Sequence, residues 1–510
     1  MWASLAPGGE PEPAAADGRL PRGIVRRGSP RCPRPAGRGL DAIGRTIAEG
    51  KETPAGADES PFGPSRVGLT IGLLLTVSFV AFETLAVATV LPAVAADLGG
   101  INLYGWAFSA FLLTQLVGIV VSGLLADERG PVLPFVLGVA LFSSGLLVGG
   151  LAPSMPALIA GRALQGLGGG AISSIAYVAI GRGYAERAKP RMLALTSTAW
   201  VVPGLIGPGI AGLMAEGFGW RSVFLVLAPL PGLAALLAFP SLRHMPAGVP
   251  SPEARARVVN AVVLAAGSGL VLAGIGLAQP AIALALTVVG LVLAIPAMRR
   301  LLPEGTLRAA PGMPATIATM GLLNLAFFGV DAFVPLALVD VRGTTVAYAG
   351  LALTAATVTW TAGAWVQSRT ATRVSRRVMA WLGLVFLGAS FVITAAVLFP
   401  QTPLPAALFG WGVAGLGMGL AYTTLGLSML ELVEPGQEGD ASASLQLASV
   451  LGSGLGAGIG GALIALMHAQ GETLTRALLL QDGLMLLVVA LGVAVAGGLP
   501  RHLRAVAADP

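Results

Sequence analysis

Apolar runs of about 20 residues or more, the length that carries a helix across the hydrocarbon core of a bilayer, follow one another along most of this chain, separated by short polar loops. They begin near Val67, Leu103, Val132, Met155, Met192, Ser222, Val258, Ala281, Met313, Val346, Val378, Pro405, Ala441 and Ala477. None shows the strict alternation of a barrel strand, and backbone groups left unpaired in lipid are too costly to persist. The pattern predicts an all-α polytopic membrane protein with fourteen transmembrane helices. No charged residue occurs between Arg257 and Arg299, and Gln279-Pro280 marks a turn midway. Length therefore favours two crossings there over a re-entrant or surface hairpin.

Two acids interrupt the apolar pattern: Glu83 within 67–95 and Asp331 within 313–339. An ionisable group near the bilayer centre costs at least ~2.5–3.5 kcal/mol on insertion scales, so it persists mainly where it lines a pathway or meets a partner. Composition agrees with a transporter in a membrane: 55% of residues are hydrophobic, 11% are charged, and glycine, common where transmembrane helices pack closely, occurs 71 times.

The net charge of +6 does not indicate a nucleic-acid surface, because the basic residues occupy short loops. One set of loops holds Arg129, Arg182, Arg187, Lys189, Arg191, Arg243, Arg299, Arg300, Arg369, Arg373, Arg376 and Arg377; the opposite set offers only Arg221, Arg342 and Arg476. That asymmetry places both termini in the cytoplasm, in a plasma membrane. The first 66 residues contain no apolar signal-peptide core, so the first span is expected to serve as an uncleaved insertion signal. Residues 1–65, rich in Pro, Gly, Ala and Arg, cannot bury a core and are expected to be disordered. Two readings of them stand side by side: a basic cytoplasmic tail near anionic lipid, or translation from a start codon upstream of the true one. Cys32 is the single cysteine, which excludes an intramolecular disulfide.

An internal repeat is visible. GRALQGLGGG from Gly161 matches GWGVAGLGMG from Gly410, and GPGIAG from Gly207 matches GAGIGG from Gly456, both at an offset of 249. Two matches in one register predict two homologous six-helix halves with the charge-free hairpin inserted between them, and a substrate site near the membrane midplane. Expected boundaries are an N-terminal half over 66–241, a cytoplasmic linker over 242–257, the hairpin over 258–302, a C-terminal half over 303–500 and a tail over 501–510. In the second copy Arg162 becomes Trp411 and Gln165 becomes Ala414, so the polar chemistry of this helix is expected in the first half.

Several motifs, in order, resemble the major facilitator superfamily, and within it the fourteen-span drug:proton antiporters. Glu83 precedes Pro92 by nine residues in ETLAVATVLP; the loop after helix 2 reads GLLADERG from Gly123; helix 4 reads LIAGRALQGLGGG, with Arg162, Gln165 and Gly166 in the signature positions; helix 5 reads GPGIAG, with Gly207, Pro208 and Gly212. The chain departs from the family pattern at Pro131 and Val132 in place of a basic pair, at Glu83 in place of Asp, and at Leu85 in place of Thr. The resemblance, over 67–500, implies the major facilitator fold, secondary active transport of a small molecule coupled to protons, and no cofactor.

The residues then divide by possible role. Glu83 and Arg162 are expected at similar depth, either as a proton-coupling or cation-binding site with its modulator, or as a structural buried pair joining helices 1 and 4. Asp331, with Asn324 seven residues earlier on the same face, is a second cavity carboxylate or an acid hydrogen-bonded within the bundle. Gln115 and Gln165 either face the cavity or bond between helices. Gly123, Asp127, Arg129 and Gly130 form a candidate gating loop, with Asp127 capping the next helix and pairing the two halves, or a solvated charged turn. Gly207, Pro208 and Gly212 are expected to allow close packing and a bend. His244, His468 and His502 are scattered, and no GxxxxGK[ST] loop occurs, so neither an enzyme nor an ATP-driven pump is expected. Efflux of amphipathic or cationic compounds, uptake or lipid export on the same fold, and a receptor-like protein that moves nothing are the three readings carried forward, the first preferred.

Overall fold

The computed structural model describes residues 61–64, 66–185, 187–249, 252–433 and 438–500. Most of the N-terminal tail, Cys32, Glu434, His502 and the segment from Arg501 lie outside them. Fourteen long helices make up the described chain: α1 (Val67–Leu98), α2 (Tyr104–Arg129), α3 (Val132–Gly150), α4 (Met155–Gly183), α5 (Lys189–Phe218), α6 (Arg221–Leu227 and Leu230–Leu242), α7 (Ala254–Ile275) and α8 (Pro280–Leu301). After them come α9 (Met313–Asp331, continued by Val334–Leu336 and a π-turn at Ala337–Val341), α10 (Val346–Thr370), α11 (Arg376–Val397), α12 (Pro405–Leu432), α13 (Glu438–Ala469) and α14 (Leu474–Ala496). Thirteen are long and apolar enough to cross a bilayer; α10 falls short because threonines, Gln367 and Arg369 dilute it, although its 25 residues suffice in length.

Local signals set the ends. Prolines stand in the first turn of α4, α5, α8, α9 and α12, where a missing N–H leaves nothing unsatisfied. Thr345, Ser375 and Thr473 each accept the backbone N–H three residues on, capping α10, α11 and α14. Within the spans, hydroxyls such as Thr84, Thr319 and Thr424 bond to the carbonyl one turn back, which satisfies them without water.

The repeat is a packing repeat. A Cβ on Gly166 of α4 would overlap the Phe111 carbonyl of α2, and one on Gly415 of α12, 249 residues later, would overlap the Ala356 carbonyl of α10. Gly168 faces Gly138 and Phe142 of α3, and Gly417 faces Gly383 and Leu387 of α11. With no hydrophobic drive between helices in lipid, such close backbone approach is what holds each half together.

The halves meet near the turn that joins α1 to α2. A Cβ on Gly105 of α2 would come 2.5 Å from Gly461 of α13, and Ser109 donates to the Gly454 carbonyl at 2.9 Å. On the opposite flank, Gly212 of α5 lies against Ala347 of α10, Gly350 lies against the Pro208 carbonyl, and Glu216 accepts the Ala347 N–H at 2.9 Å. The inserted helix α7 fills the groove along α2 and α13: Leu272 packs on Gly458, Arg255 reaches Glu128 at 3.3 Å, and Arg257 reaches Asp440 at 3.1 Å.

Candidate functional site

Glu83 of α1 and Arg162 of α4 form a buried ion pair, with side chains 0% and 1% exposed. The Arg162 Nε donates to the Ala107 carbonyl at 2.9 Å, Nη1 also donates to Gln165 Oε1 at 2.6 Å, and the guanidinium lies 4.3 Å from the centre of the Phe111 ring. The cation is held from α1, α2 and α4 together. Glycines allow it, since Gly145 and Gly161 bring the α3 backbone against Gln165 and the α4 backbone. The second carboxylate oxygen of Glu83 and the Gln165 Nε2 are buried without a hydrogen-bond partner among the described residues.

The other half carries a counterpart of different chemistry. Trp411, at the repeat position of Arg162, donates its indole N–H to Asp331 Oδ1 at 3.0 Å. The expectation that the polar chemistry of this helix belongs to the first half is therefore incorrect: an acid–donor pair is retained, with a neutral donor in place of a cation. Asp331 lies 248 residues after Glu83, within one residue of the repeat offset. From Trp411 an aromatic series continues, with Phe327 stacked at 5.3 Å, Trp360 edge-on to Phe327 at 5.6 Å, and Tyr422 at 5.6 Å from Trp360. Trp360 meets Gly419 as Gln115 meets Gly170 in the first half, so Gln115, half-buried on α2, has an aromatic equivalent. Asn324 is buried and donates to the Met320 carbonyl of its own helix at 2.8 Å.

Three of the four gating-loop residues are helical: Gly123, Asp127 and Arg129 lie in the last turns of α2, and only Gly130, at φ +82°, leaves the helix. Asp127 does not cap α3, whose N-terminus has no side-chain cap. Its carboxylate accepts from Arg182 at the end of α4 at 2.5 Å, a bond within the first half and not between halves. A helix that continues to Arg129 carries the Asp127 side chain toward α4, away from the turn at Pro131. Gly207 and Gly212 bring α5 against Phe82 of α1 and against Ala347 of α10, with the Pro208 carbonyl on Gly350.

Sequence reading overlooked Asp482. It sits inside α14, 5% exposed, beside Gln481, which is fully buried and donates to the Gly329 carbonyl. The signal was present as a third acid in an apolar run.

The sequence matches the profile of the Major Facilitator Superfamily over residues 72–369, more than half of the chain. The chain belongs to this superfamily. It is a multi-pass membrane transporter and not an enzyme. Its similarity extends to the multidrug transporter protein MdtP of Bacillus subtilis, 24% identical over 409 residues that cover 78% of this chain and 75% of that protein. A probable multidrug-efflux transporter of Mycobacterium tuberculosis is 28% identical over 417 residues, 78% of this chain and 88% of that one. Among solved structures, a bacterial homologue of the human lysosomal transporter Spinster, inward-facing and unoccupied, superposes with a TM-score of 0.60 at 17% identity over 85% of this chain and 96% of that one. A POT family transporter in complex with 5-aminolevulinic acid gives 0.63 at 14% identity, over 86% and 98%. These likenesses extend the superfamily fold to both halves.

Proposed function

We propose that this major facilitator protein expels amphipathic, cationic small molecules across the plasma membrane in exchange for protons, with both termini in the cytoplasm and the half boundaries given above. The observation that carries the reading is a pair of carboxylates within the spans and within one residue of the repeat register, Glu83 fully buried and held by a guanidinium, Asp331 half-buried and held by an indole beside a series of aromatic faces. A lipophilic cation is attracted both by a carboxylate and by aromatic faces, worth about 0.5–2 kcal/mol for each well-placed ring. Proton and cation then compete for the same oxygens, so Glu83 or Asp331 releases a proton as the substrate binds from inside and regains one from outside as the substrate leaves. Arg162 tunes Glu83, Gln165 orients Arg162, and Asn324 and Gln115 border the route; Asp127, Arg129, Gly123 and Gly130 shape the inner end of α2, and Gly207, Pro208 and Gly212 keep α5 close to α10 as the halves rock. The multidrug relatives support efflux over uptake.

Proton release from purified protein in weak buffer on addition of ethidium or tetraphenylphosphonium tests this. Release by the unmodified protein that disappears in Glu83→Gln or in Asp331→Asn assigns the coupling acid. Binding of either cation with no release refutes exchange for protons.

A further inference from the structure

The two halves carry different chemistry at matching repeat positions. Gln115, Arg162 and Ser173 stand in the first half where Trp360, Trp411 and Tyr422 stand in the second. The carboxylates differ in the same sense. Glu83 is 0% exposed and balanced by Arg162, so the pair has no net charge with which to attract a cation. Asp331 is half-buried, its Oδ1 takes the Trp411 indole N–H at 3.0 Å, and its other oxygen accepts no hydrogen bond among the described residues. An indole is neutral, so the negative charge of an ionised Asp331 is uncompensated. Phe327 stands one turn before Asp331 on α9 and is edge-on to Trp360 at 5.6 Å, so the carboxylate and Trp360 adjoin the same ring. The two tryptophans are used differently. Trp411 is fully buried and nearly parallel to Phe327, at 5.3 Å and 19°, and to Phe391, at 6.5 Å and 20°. Trp360 is half-buried, and its neighbours Phe327 and Tyr422 lie at 85° and 56° to it, so neither stacks on a face of its indole. Leu351, Val358 and Trp365, seven apart, form an exposed stripe on α10, and Trp360 sits about 200° round the helix from Val358, turned into the protein.

We propose that the second half seats the substrate, a flat aromatic cation whose charge rests against the free oxygen of Asp331 and whose rings lie on the open face of Trp360, and that Trp360 sets a preference for flat over branched cations. Tryptophan attracts cations more strongly than the other aromatic side chains, and a flat delocalised cation gains both that attraction and the contact area of an offset stack. A tetrahedral cation such as tetrabutylammonium has no plane to stack and holds its charge behind four alkyl chains, so it keeps chiefly the pull of the carboxylate. The Glu83–Arg162 pair does not touch the substrate; it bears on the site through the packing of α1, α2 and α4. The inference rests on the efflux reading above and narrows it, since of the two carboxylates Asp331 alone meets the substrate.

The test measures equilibrium binding of ethidium and of tetrabutylammonium to the full chain purified in detergent, by calorimetry. Unmodified protein is compared with Trp360→Leu, Trp360→Gln, which installs the first-half residue, Asp331→Asn, which keeps an acceptor for the Trp411 indole, and Glu83→Gln. Both Trp360 variants are expected to weaken ethidium roughly tenfold, within the range of one desolvated ring, and to change tetrabutylammonium by less than about threefold. Asp331→Asn is expected to weaken both cations by about tenfold or more, and by more than Glu83→Gln does. Ethidium binding unaffected by the Trp360 variants overturns the role of Trp360. Equal weakening of both cations by those variants overturns it too, since that is the signature of disturbed packing. A greater loss in Glu83→Gln than in Asp331→Asn moves the seat to the first half and overturns the placement, while the efflux reading stands. Should Glu83→Gln fail to fold, Glu83→Gln combined with Arg162→Met takes its place in that comparison. If the unmodified protein binds neither cation, the efflux reading fails and the inference with it.

Discussion

Replacing Arg162 by methionine, alone and together with Glu83→Gln, separates the charge in the first-half pair from its packing. Arg162 holds the Glu83 carboxylate, the Ala107 carbonyl at 2.9 Å, Gln165 at 2.6 Å and the Phe111 ring at 4.3 Å. Arg162→Met loses all four, and the two hydrogen bonds to neutral oxygens cost roughly 1 kcal/mol each. The single variant also leaves a carboxylate that is 0% exposed without its counter-charge; removing one partner of a buried pair costs about 3–5 kcal/mol in total. Glu83→Gln in the same background removes the stranded charge but restores none of the other contacts. The double variant should therefore be more stable than Arg162→Met by about 1–3 kcal/mol, the part of that cost not explained by the two bonds to neutral acceptors. Heating each purified variant in detergent and following the fraction that stays monodisperse should show a melting midpoint higher by roughly 1–3 °C for the double variant. A double variant that melts with or below Arg162→Met would refute the argument, because Glu83 would then carry no charge for Arg162 to balance.

Gly415→Ala should destabilise the second half by about 1–3 kcal/mol, since the new methyl would overlap the Ala356 carbonyl and crowd Thr359, whereas Gly426→Ala, which meets nothing within 4 Å, should melt with the unmodified protein. Trp411→Phe removes the indole donor of Asp331 and should cost about 1–3 kcal/mol, measured by the same melting; loss of that cost in the Asp331→Leu background would confirm that the bond, and not the ring, is responsible. Asp482 is buried with no hydrogen bond found for it among the described residues, so Asp482→Leu should raise the melting midpoint by relieving a desolvation penalty of about 1–3 kcal/mol; a lower midpoint would show that the carboxyl has a structural partner.

The fold was legible from the sequence because its determinants are local. Runs long enough to span a bilayer, prolines at helix starts and the distribution of Lys and Arg each act within a few residues, and lipid permits only one way to satisfy a helix backbone. Spacing from Glu83 to Pro92 and the repeated glycines marked the correct helices, and the glycines later proved to be the points where helix backbones touch. Tertiary structure decided which polar groups face one another. Glu83 meets Arg162 across 79 residues and Trp411 meets Asp331 across 80, and no local pattern encodes those partners. A tryptophan in an arginine's place looked like lost polarity because hydropathy ignores the indole N–H, which matters only once a carboxylate stands 3.0 Å away. Asp127 was misplaced for a similar reason: the chain shows a charged stretch before a glycine, but only the extra helical turn through Arg129 aims its carboxylate at Arg182. Asp482 went unread because it stands close to the start of the run read from Ala477, although the helix begins a turn earlier at Leu474. Its burial is a property of the packed bundle, where distant helices exclude water from a group that would be solvated on an isolated segment.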